Sequence, residues 1–481
     1  MQYKWIALSN TTIGTLMASL DRNIVVIALP TIASMLHASL ITLVWIALGY
    51  WVVTASVLLN FGRLADMFGR VRLYNVGFVL FTVGSALCSI AYTGEQLIVF
   101  RIVQAIGAAF LFSNSAAILT DTFPENERGR ALGLNQVSIV IGSVIGLTLG
   151  GFLTSYLGWR SIFWINIPIG AFATIWAYLK LRELGTIRRE KVDWQGNVTL
   201  ASGLLFLLIG ITFASFHIFS SIENYFIIIL GFVLLIIFYF VEKNELRPMF
   251  DFSLFRIKLF AGGNLAIFLN ALARGAFTLV MAFYLQGSSM NLSPLEAGIY
   301  LIPVSVSLAI FAPITGWLYD RSKSRIFIPL GLLASAVGFL MLTRVGPTTS
   351  YSSSIVPLIL VGAGMGIFAS PNRATIMSSV PSHRRGVAAA ISTTLVMIGS
   401  AFSIGMVFLL FTQVMPLQTV QNIFTGSSTP TDATGFTFVP KFMDSLHLIF
   451  FISAILMLVS VIPSIMRPHL GKKFLSFLGK S

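Results

Sequence analysis

Long apolar runs separated by short polar turns fill almost the whole chain. A helix crossing a bilayer needs about 20 predominantly apolar residues. On that ruler the pattern predicts fourteen spans, at about 5–29, 40–61, 73–93, 96–119, 132–155, 162–181, 195–216, 222–241, 260–285, 295–318, 326–344, 355–377, 387–412 and 445–466. The polar stretches between them are short, apart from 180–193, 242–258 and a Ser-, Thr-, Gly- and Pro-containing loop at 413–443. The reading is an all-α polytopic membrane protein.

Composition agrees. Only 10% of the 481 residues are charged, against about 25% in a soluble domain. The net charge of +14 raises the question of nucleic acid, and its distribution answers it. Three Lys or Arg fall at outer positions, Arg160, Arg344 and Lys441, and four inside spans, Arg22, Arg101, Arg274 and Arg373. The rest of the 31 lie in the tails and one set of loops. That skew is the positive-inside pattern, and it places both termini in the cytoplasm. No nucleic-acid partner is expected. The single Cys88 permits no intrachain disulfide, and the five His lack ligand spacing. No metal or cofactor is expected. The N-terminal run is too long for a cleavable signal and carries Asp21-Arg22.

The chain repeats itself. Pro124, Arg128, Gly129 and Ala131 recur as Pro381, Arg385, Gly386 and Ala388, 257 positions on. The turn Gly62-Arg63-Leu64-Ala65-Asp66-Met67-Phe68-Gly69-Arg70-Val71-Arg72 has a weaker copy, Gly316-Trp317-Leu318-Tyr319-Asp320-Arg321, offset by 254. Two parallel six-helix halves with two helices inserted between them account for both offsets. The expected boundaries are 1–182, 183–258 for the linker with the inserted helices, 259–466, and a basic tail at 467–481. Lys472-Lys473-Phe474-Leu475 in that tail suits either a membrane surface or water.

The turn Gly62–Arg72 matches the loop between helices 2 and 3 of the major facilitator superfamily, G-x-L-a-D-x-x-G-r-k, so the chain resembles a secondary transporter. An isolated loop of this kind is also what any positive-inside turn looks like; the copy at a domain-sized offset favours the family. Gly62 and Gly69 are expected to let backbones approach closely. Asp66 is expected at a helix end, with Arg70 and Arg72 pairing with acids or headgroups. Asp320 and Arg321 would serve the second half likewise. Gly158-Trp159-Arg160-Ser161-Ile162-Phe163-Trp164-Ile165-Asn166-Ile167-Pro168-Ile169-Gly170 resembles a run in the family's fourteen-helix drug:proton antiporter branch and reads as structural.

Asp21 is the one carboxylate placed well inside a span, where a charge costs several kcal/mol and marks function by default. Its surroundings, Leu20 to Pro30, resemble the branch's helix-1 motif L-D-x-T-I-V-N-V-A-L-P, with Asn23 for Thr and Val26 for Asn. Arg101 is the natural partner: Asp21 lies ~13 Å and Arg101 ~8 Å from the outer ends of their spans at 1.5 Å per residue. Arg101 to Gly107 resembles the helix-4 motif R-x-x-q-G-x-G, and the family assigns that Arg to proton coupling. A static ion pair is the plainer reading. Arg22 points about 100° away from Asp21 and stands as a second partner or a snorkelling cation. Arg274, mid-span at 260–285, stands as a partner for a substrate anion or for Asp21. Asn23, Tyr50, Gln104, Tyr284 and Gln286 are candidate cavity groups. Arg373 is close enough to a span end to snorkel.

Gly142, Gly146, Gly150 and Gly151 have the small-xxx-small spacing of close helix packing. They resemble the antiporter motif G-x-x-x-G-P-x-x-G-G, with Leu147 in place of Pro.

The resemblance implies a monomeric, proton-coupled exporter of amphipathic, drug-like small molecules in the cell membrane, working by alternating access. A uniporter or proton symporter for an organic anion is the rival of the same class. A non-transporting sensor or scaffold would want a soluble appendage, and none is visible. A membrane enzyme would want a His, Cys or carboxylate cluster, and none is present.

Overall fold

The structure, a computed structural model, describes residues 2–124, 127–185, 193–216, 218, 220–245, 248–287, 289–322, 324–381, 384–416, 420 and 439–465, without the side chains of 129, 130, 136 and 439. The tail at 467–481, most of the 413–443 loop and the basic residues 186–192 lie outside the described residues.

Seventeen α-helices make up the described chain. The first half holds α1 (Tyr3–Leu36), α2 (Leu40–Phe68), α3 (Arg70–Ser89), α4 (Gly94–Thr122), α5 (Arg128–Leu157), α6 (Ser161–Trp164) and α7 (Asn166–Lys180). Then come α8 (Trp194–Ser215) and α9 (Ser221–Asn244), and a 3₁₀ turn at Phe252–Arg256. The second half holds α10 (Lys258–Arg274), α11 (Phe277–Gln286), α12 (Pro294–Tyr300), α13 (Ile302–Ser322), α14 (Phe327–Leu342), α15 (Tyr351–Ser378), α16 (Arg385–Val414) and α17 (Val439–Ile465). Counting broken helices once, thirteen segments are long and apolar enough to cross a membrane; α14 is a shorter apolar helix. Ser and Thr start many of the helices. Ser39 caps α2 and Thr93 caps α4, while Ser220 with Glu223 and Ser293 with Glu296 close reciprocal capping boxes.

Three expected spans are broken. The span at 260–285 is interrupted after Arg274. Ser400 Cα lies 2.5 Å from where a Gly275 Cβ would sit, and the Ala276 N–H goes to Ser403 Oγ on α16 (2.9 Å). The spans at 162–181 and 295–318 break at Ile165 and Leu301, close before Pro168 and Pro303, which cannot donate to the preceding turn. Conversely, α1 does not end before Pro30. The proline lies inside the helix, which runs on to Leu36.

The chain alternates direction, so α1, α3, α5, α8, α10, α14 and α16 begin on the side of residue 2, called here the near side. Within the first half α1 packs on α4, α5 and α7, and α3 on α4 and α7; within the second, α10 packs on α15, α16 and α17, and α14 on α15 and α17. The halves meet along α2 with α16, and along α5 with α12 and α13.

Candidate functional site

Asp21, on α1, is completely buried. Its Oδ2 accepts from Arg101 Nη1 of α4 at 2.6 Å. Its Oδ1 accepts from Gln104 Nε2 (2.8 Å) and from Asn166 Nδ2 (2.9 Å). Gln104 Nε2 also donates to Ser85 Oγ on α3 at 2.7 Å, and Gln104 Oε1 accepts from Arg101 Nη1 at 2.6 Å. The guanidinium of Arg101 lies 4.3 Å from the Tyr50 ring centroid, a cation–π contact from α2. Four helices and the start of α7 therefore converge on one carboxylate. Two polar atoms of the cluster have no partner: Arg101 Nε and Asn166 Oδ1.

Gln104 and Tyr50 were candidates for a substrate cavity; the structure places both around Asp21, where they complete the ion pair. Asn166 and Ser85 are members the sequence did not single out. Asn166 is delivered by the break at Ile165, which makes it the first residue of α7.

The other candidates disperse. Asn23 folds back on its own helix, Nδ2 to Ser19 O at 2.9 Å. Tyr284 is fully buried and donates to Gly346 O (2.8 Å) inside the second half, so it lines no space between the halves. Gln286 Nε2 donates to Ile27 O (2.9 Å) and so ties the far ends of the halves together. Arg22 is half-buried and lies 4.6 Å from the Trp51 ring centroid. Arg274, half-buried at the end of α10, donates from Nε to Asn270 Oδ1 (3.0 Å).

The glycine face serves two neighbours. A Cβ on Gly142 would meet Leu16 O at 2.6 Å, one on Gly146 Leu20 O at 2.8 Å, and one on Gly150 Ile27 Cγ2 at 2.6 Å, so these three admit α1. Gly151 faces the other half, where its Cβ would meet the Pro294 carbonyl carbon at 2.9 Å and Leu295 Cα at 3.0 Å.

The near-side turn departs from its expected roles. A Cβ at Gly62 would meet nothing within 4 Å, so no backbone approach requires that glycine. Gly69 is needed for its φ of +102°, which ends α2 and starts α3. Asp66 does not cap a helix; the cap comes from Glu183, whose Oε1 and Oε2 accept the Arg70 and Val71 N–H groups at 3.0 and 2.9 Å. Arg70 bridges Asp66 (2.8 Å) and Asp121 of α4 (2.7 Å). Arg72 is exposed. In the second half Arg321 stacks on Trp317 (3.9 Å), and Asp320 lies beside it in the last turn of α13. Replacing Asp66 with Ala is expected to leave the Arg70–Asp121 pair in place and to slow transport only a few-fold at unchanged expression, since partly exposed pairs contribute about 0–1 kcal/mol. Flux per folded molecule in proteoliposomes measures this, and normal flux would reduce the turn to a connector.

Thirteen described segments long and apolar enough to cross a membrane, with an ion pair buried among them, make this a polytopic membrane protein. The family model described as Major Facilitator Superfamily matches residues 11–404, and the chain belongs to that superfamily of transporters. It is similar to the riboflavin transporter RibZ of Clostridioides difficile (strain 630), 32% identical over 395 residues that cover 80% of this chain and 83% of that one. It is also similar to multidrug resistance protein 3 of Bacillus subtilis (strain 168), 30% identical over 383 residues, 78% of this chain and 73% of that one. Among solved structures, a bacterial homologue of the human lysosomal transporter Spinster, inward-facing and unoccupied, aligns over 98% of both chains with a TM-score of 0.68 and 15% identity. That likeness shows the fold alone.

Proposed function

We propose that the chain is a proton-coupled exporter of amphipathic compounds, of the fourteen-helix drug:proton antiporter kind, and that Asp21 carries the proton. The supporting observation is the geometry of Asp21: one carboxylate, fully buried, with three side-chain donors on its two oxygens. Protonation puts a hydrogen on one oxygen, so one donor must turn away. Asn166 Oδ1 lacks a partner, and a half-turn of that amide presents it as the acceptor for the new O–H. Arg101 is then loosened from α1. A proton thereby changes how α1, α4 and α7 hold one another. A two-state element that both proton and substrate bias couples the two, and the coupling is reciprocal.

The halves, taken as 1–182 and 259–466, rock about the site, and the near side is cytoplasmic by the positive-inside pattern. On the far side Gln286 meets Ile27 O, and Ser155 Oγ accepts the Leu295 N–H (3.1 Å), which supports reading that side as closed. Reporter fusions at residues 62–72, 316–325 and the C terminus are expected to score as cytoplasmic. A C terminus on the opposite side from the N terminus would overturn the even number of crossings.

The testing experiment is flux in proteoliposomes with an imposed pH gradient, following substrate and internal pH together. Substrate movement without proton movement, for every transported compound, would replace antiport by facilitated diffusion.

A further inference from the structure

The inserted helices bring two acids together on the near side. Asp193 is the residue before α8, and Glu242 lies in the last turn of α9. Both are buried, Asp193 7% and Glu242 1% exposed. Each spends one carboxyl oxygen on backbone: Asp193 Oδ1 accepts the Gly196 N–H (2.7 Å), and Glu242 Oε2 accepts the Phe250 N–H (3.0 Å). The second oxygens, Asp193 Oδ2 and Glu242 Oε1, have no partner among the described residues. They converge on one spot. A Cβ on Gly196 would lie 2.5 Å from the first and 2.6 Å from the second. The helices that carry them pack closely, with Gly203 against Leu235 and Gly210 against Ile228, so the two acids cannot part without parting α8 from α9.

Two ionised carboxylates in such a place would face each other as like charges with no donor between them, and like charges this close do not both persist in a buried site. One hydrogen, on either oxygen, turns the repulsion into an O–H donated to a carboxylate, which is a short and strong bond. It satisfies both orphaned oxygens at once. A calcium or magnesium ion would want about six or more oxygens, and among the described residues no third acid, His or Cys stands with these two. The other charged groups around the pair are engaged or outside. Arg63 of α2 is the cation that acts on Glu242. Asp251 accepts from Arg384 (3.0 Å) and from Ser253. Lys243, Glu245, Arg256, Lys258 and Arg385 are exposed.

The pair also lies between the halves. Asp193 is tied to the first: Asn60 Nδ2 of α2 donates to Asp193 O (3.4 Å), and Asn197 Nδ2, one turn on, donates to Ser56 O (2.7 Å). Glu242 is tied to the second. Phe250, whose N–H it holds, is buried with Leu254 in one cluster with Phe260 of α10, Ile376 of α15 and Ile391 of α16.

We propose that Asp193 and Glu242 share one proton, and that this proton latches the inserted helices between the near ends of the two halves. The proton is held below the pair's own titration point and lost as the near side turns alkaline. Loss leaves two negative charges face to face, so the latch is closed in acid and opens in alkali. The pH of the near side thereby acts on the chain at a place separate from Asp21, and the proposal goes beyond the reading of Asp21 without depending on it.

The test uses the purified full chain in nanodiscs, without substrate, in a buffer whose only cation is protonated N-methylglucamine. Infrared difference spectra read the carbonyl stretch of a protonated carboxyl. Wild type is expected to show that band at neutral pH, where an ordinary Asp or Glu is ionised, and to lose it in a single step as the pH rises. Across the step the ratio of protonated to ionised pair falls tenfold per pH unit. Asp193→Asn and Glu242→Gln are each expected to lack the band, and Asp21→Asn combined with Arg101→Gln to keep it. The melting temperature of wild type is expected to fall across the same step, and spin labels on the near ends of α2 and α10 to report longer distances. Glu242→Gln, whose amide N–H replaces the shared hydrogen at every pH, is expected to show neither step; Asp193→Asn does the same from the other side. Glu242→Ala is expected to melt lower at every pH. A merely structural role would move the melting temperatures of the variants without removing the step.

A wild type without the band at neutral pH, or a band that both amide variants keep, overturns the shared proton. Sodium, potassium, magnesium or calcium chloride that raises the melting temperature of wild type but of neither amide variant assigns the pair to a metal cation and also overturns it. Label distances that do not follow the step overturn the latch. Antiport is judged on proton-driven flux, which none of these measurements uses, so either reading can fail without the other.

Discussion

Asp21→Asn is expected to bring proton-driven accumulation of substrate down to background while downhill substrate exchange persists. Asn keeps the shape of Asp and removes both the charge and the titratable oxygen. Every other described carboxylate sits near a helix end, so no second deep acid takes over the proton. The substitution also strands Arg101, which is 2% exposed and already has Nε without a partner. Breaking a buried pair from one side costs about 3–5 kcal/mol, so the single variant is expected to express poorly. Asp21→Asn combined with Arg101→Gln removes both charges and is expected to regain much of that stability without regaining proton-driven transport. Substrate and internal pH, followed together under an imposed gradient on matched amounts of folded protein, separate the two effects. Accumulation with proton movement in the double variant would make Asp21 and Arg101 a structural brace.

Gly151→Val is expected to break the far-side closure. In the closed seam a Cβ at 151 falls 2.9 Å from the Pro294 carbonyl carbon and 3.0 Å from Leu295 Cα. Both are backbone atoms, and neither is the movable end of a side chain. The Gly298 position repeats the constraint from the opposite helix, 2.7 Å from Leu147 O. Overpacking of this kind costs about 1–3 kcal/mol, and here the cost falls on one conformational state. The population of the far-side-closed form is therefore expected to drop between about fivefold and a hundredfold, with transport falling because the cycle must pass through it. Spin labels on the far ends of α5 and α13 should report longer distances in the variant. Ser155→Ala, which removes one hydrogen bond to Leu295 N, is expected to shift the distribution far less. Unchanged distances in Gly151→Val would mean that the seam already yields.

The apolar spans were legible because apolar length is a property of each stretch by itself; thirteen of the described segments are long and apolar enough to cross, and α14 is shorter. The Asp21–Arg101 pair was legible too: two opposite charges at similar depth in apolar helices have few alternatives. What failed depends on neighbours. Asn166 is one of several buried amides, and most of these bond to backbone, as Asn10, Asn60 and Asn114 do. Nothing local marks the one that reaches a carboxylate 145 positions away. Glu183, 113 positions from the turn it caps, was invisible for the same reason. Glycine spacing announced close packing on α5, yet not that three glycines admit α1 and the fourth admits Pro294. The break after Arg274 depends on Ser403, a residue of another helix.

The inserted helices occupy a particular place. Along α2 and α16, where the halves meet, α8 lies against both. Asn197 of α8 donates to Ser56 O of α2 (2.7 Å), and Phe216 meets Phe408 of α16 at 6.1 Å between ring centroids. Leu204 and Leu208 close the crevice formed by Val52, Ala55, Ile398 and Ala401. Outside it, α9 turns Ile222, Phe226, Ile229 and Phe232 outward. The two seams between the halves are therefore unequally clad: among the described residues an inserted helix covers the α2–α16 seam, and none is packed on the α5–α13 seam.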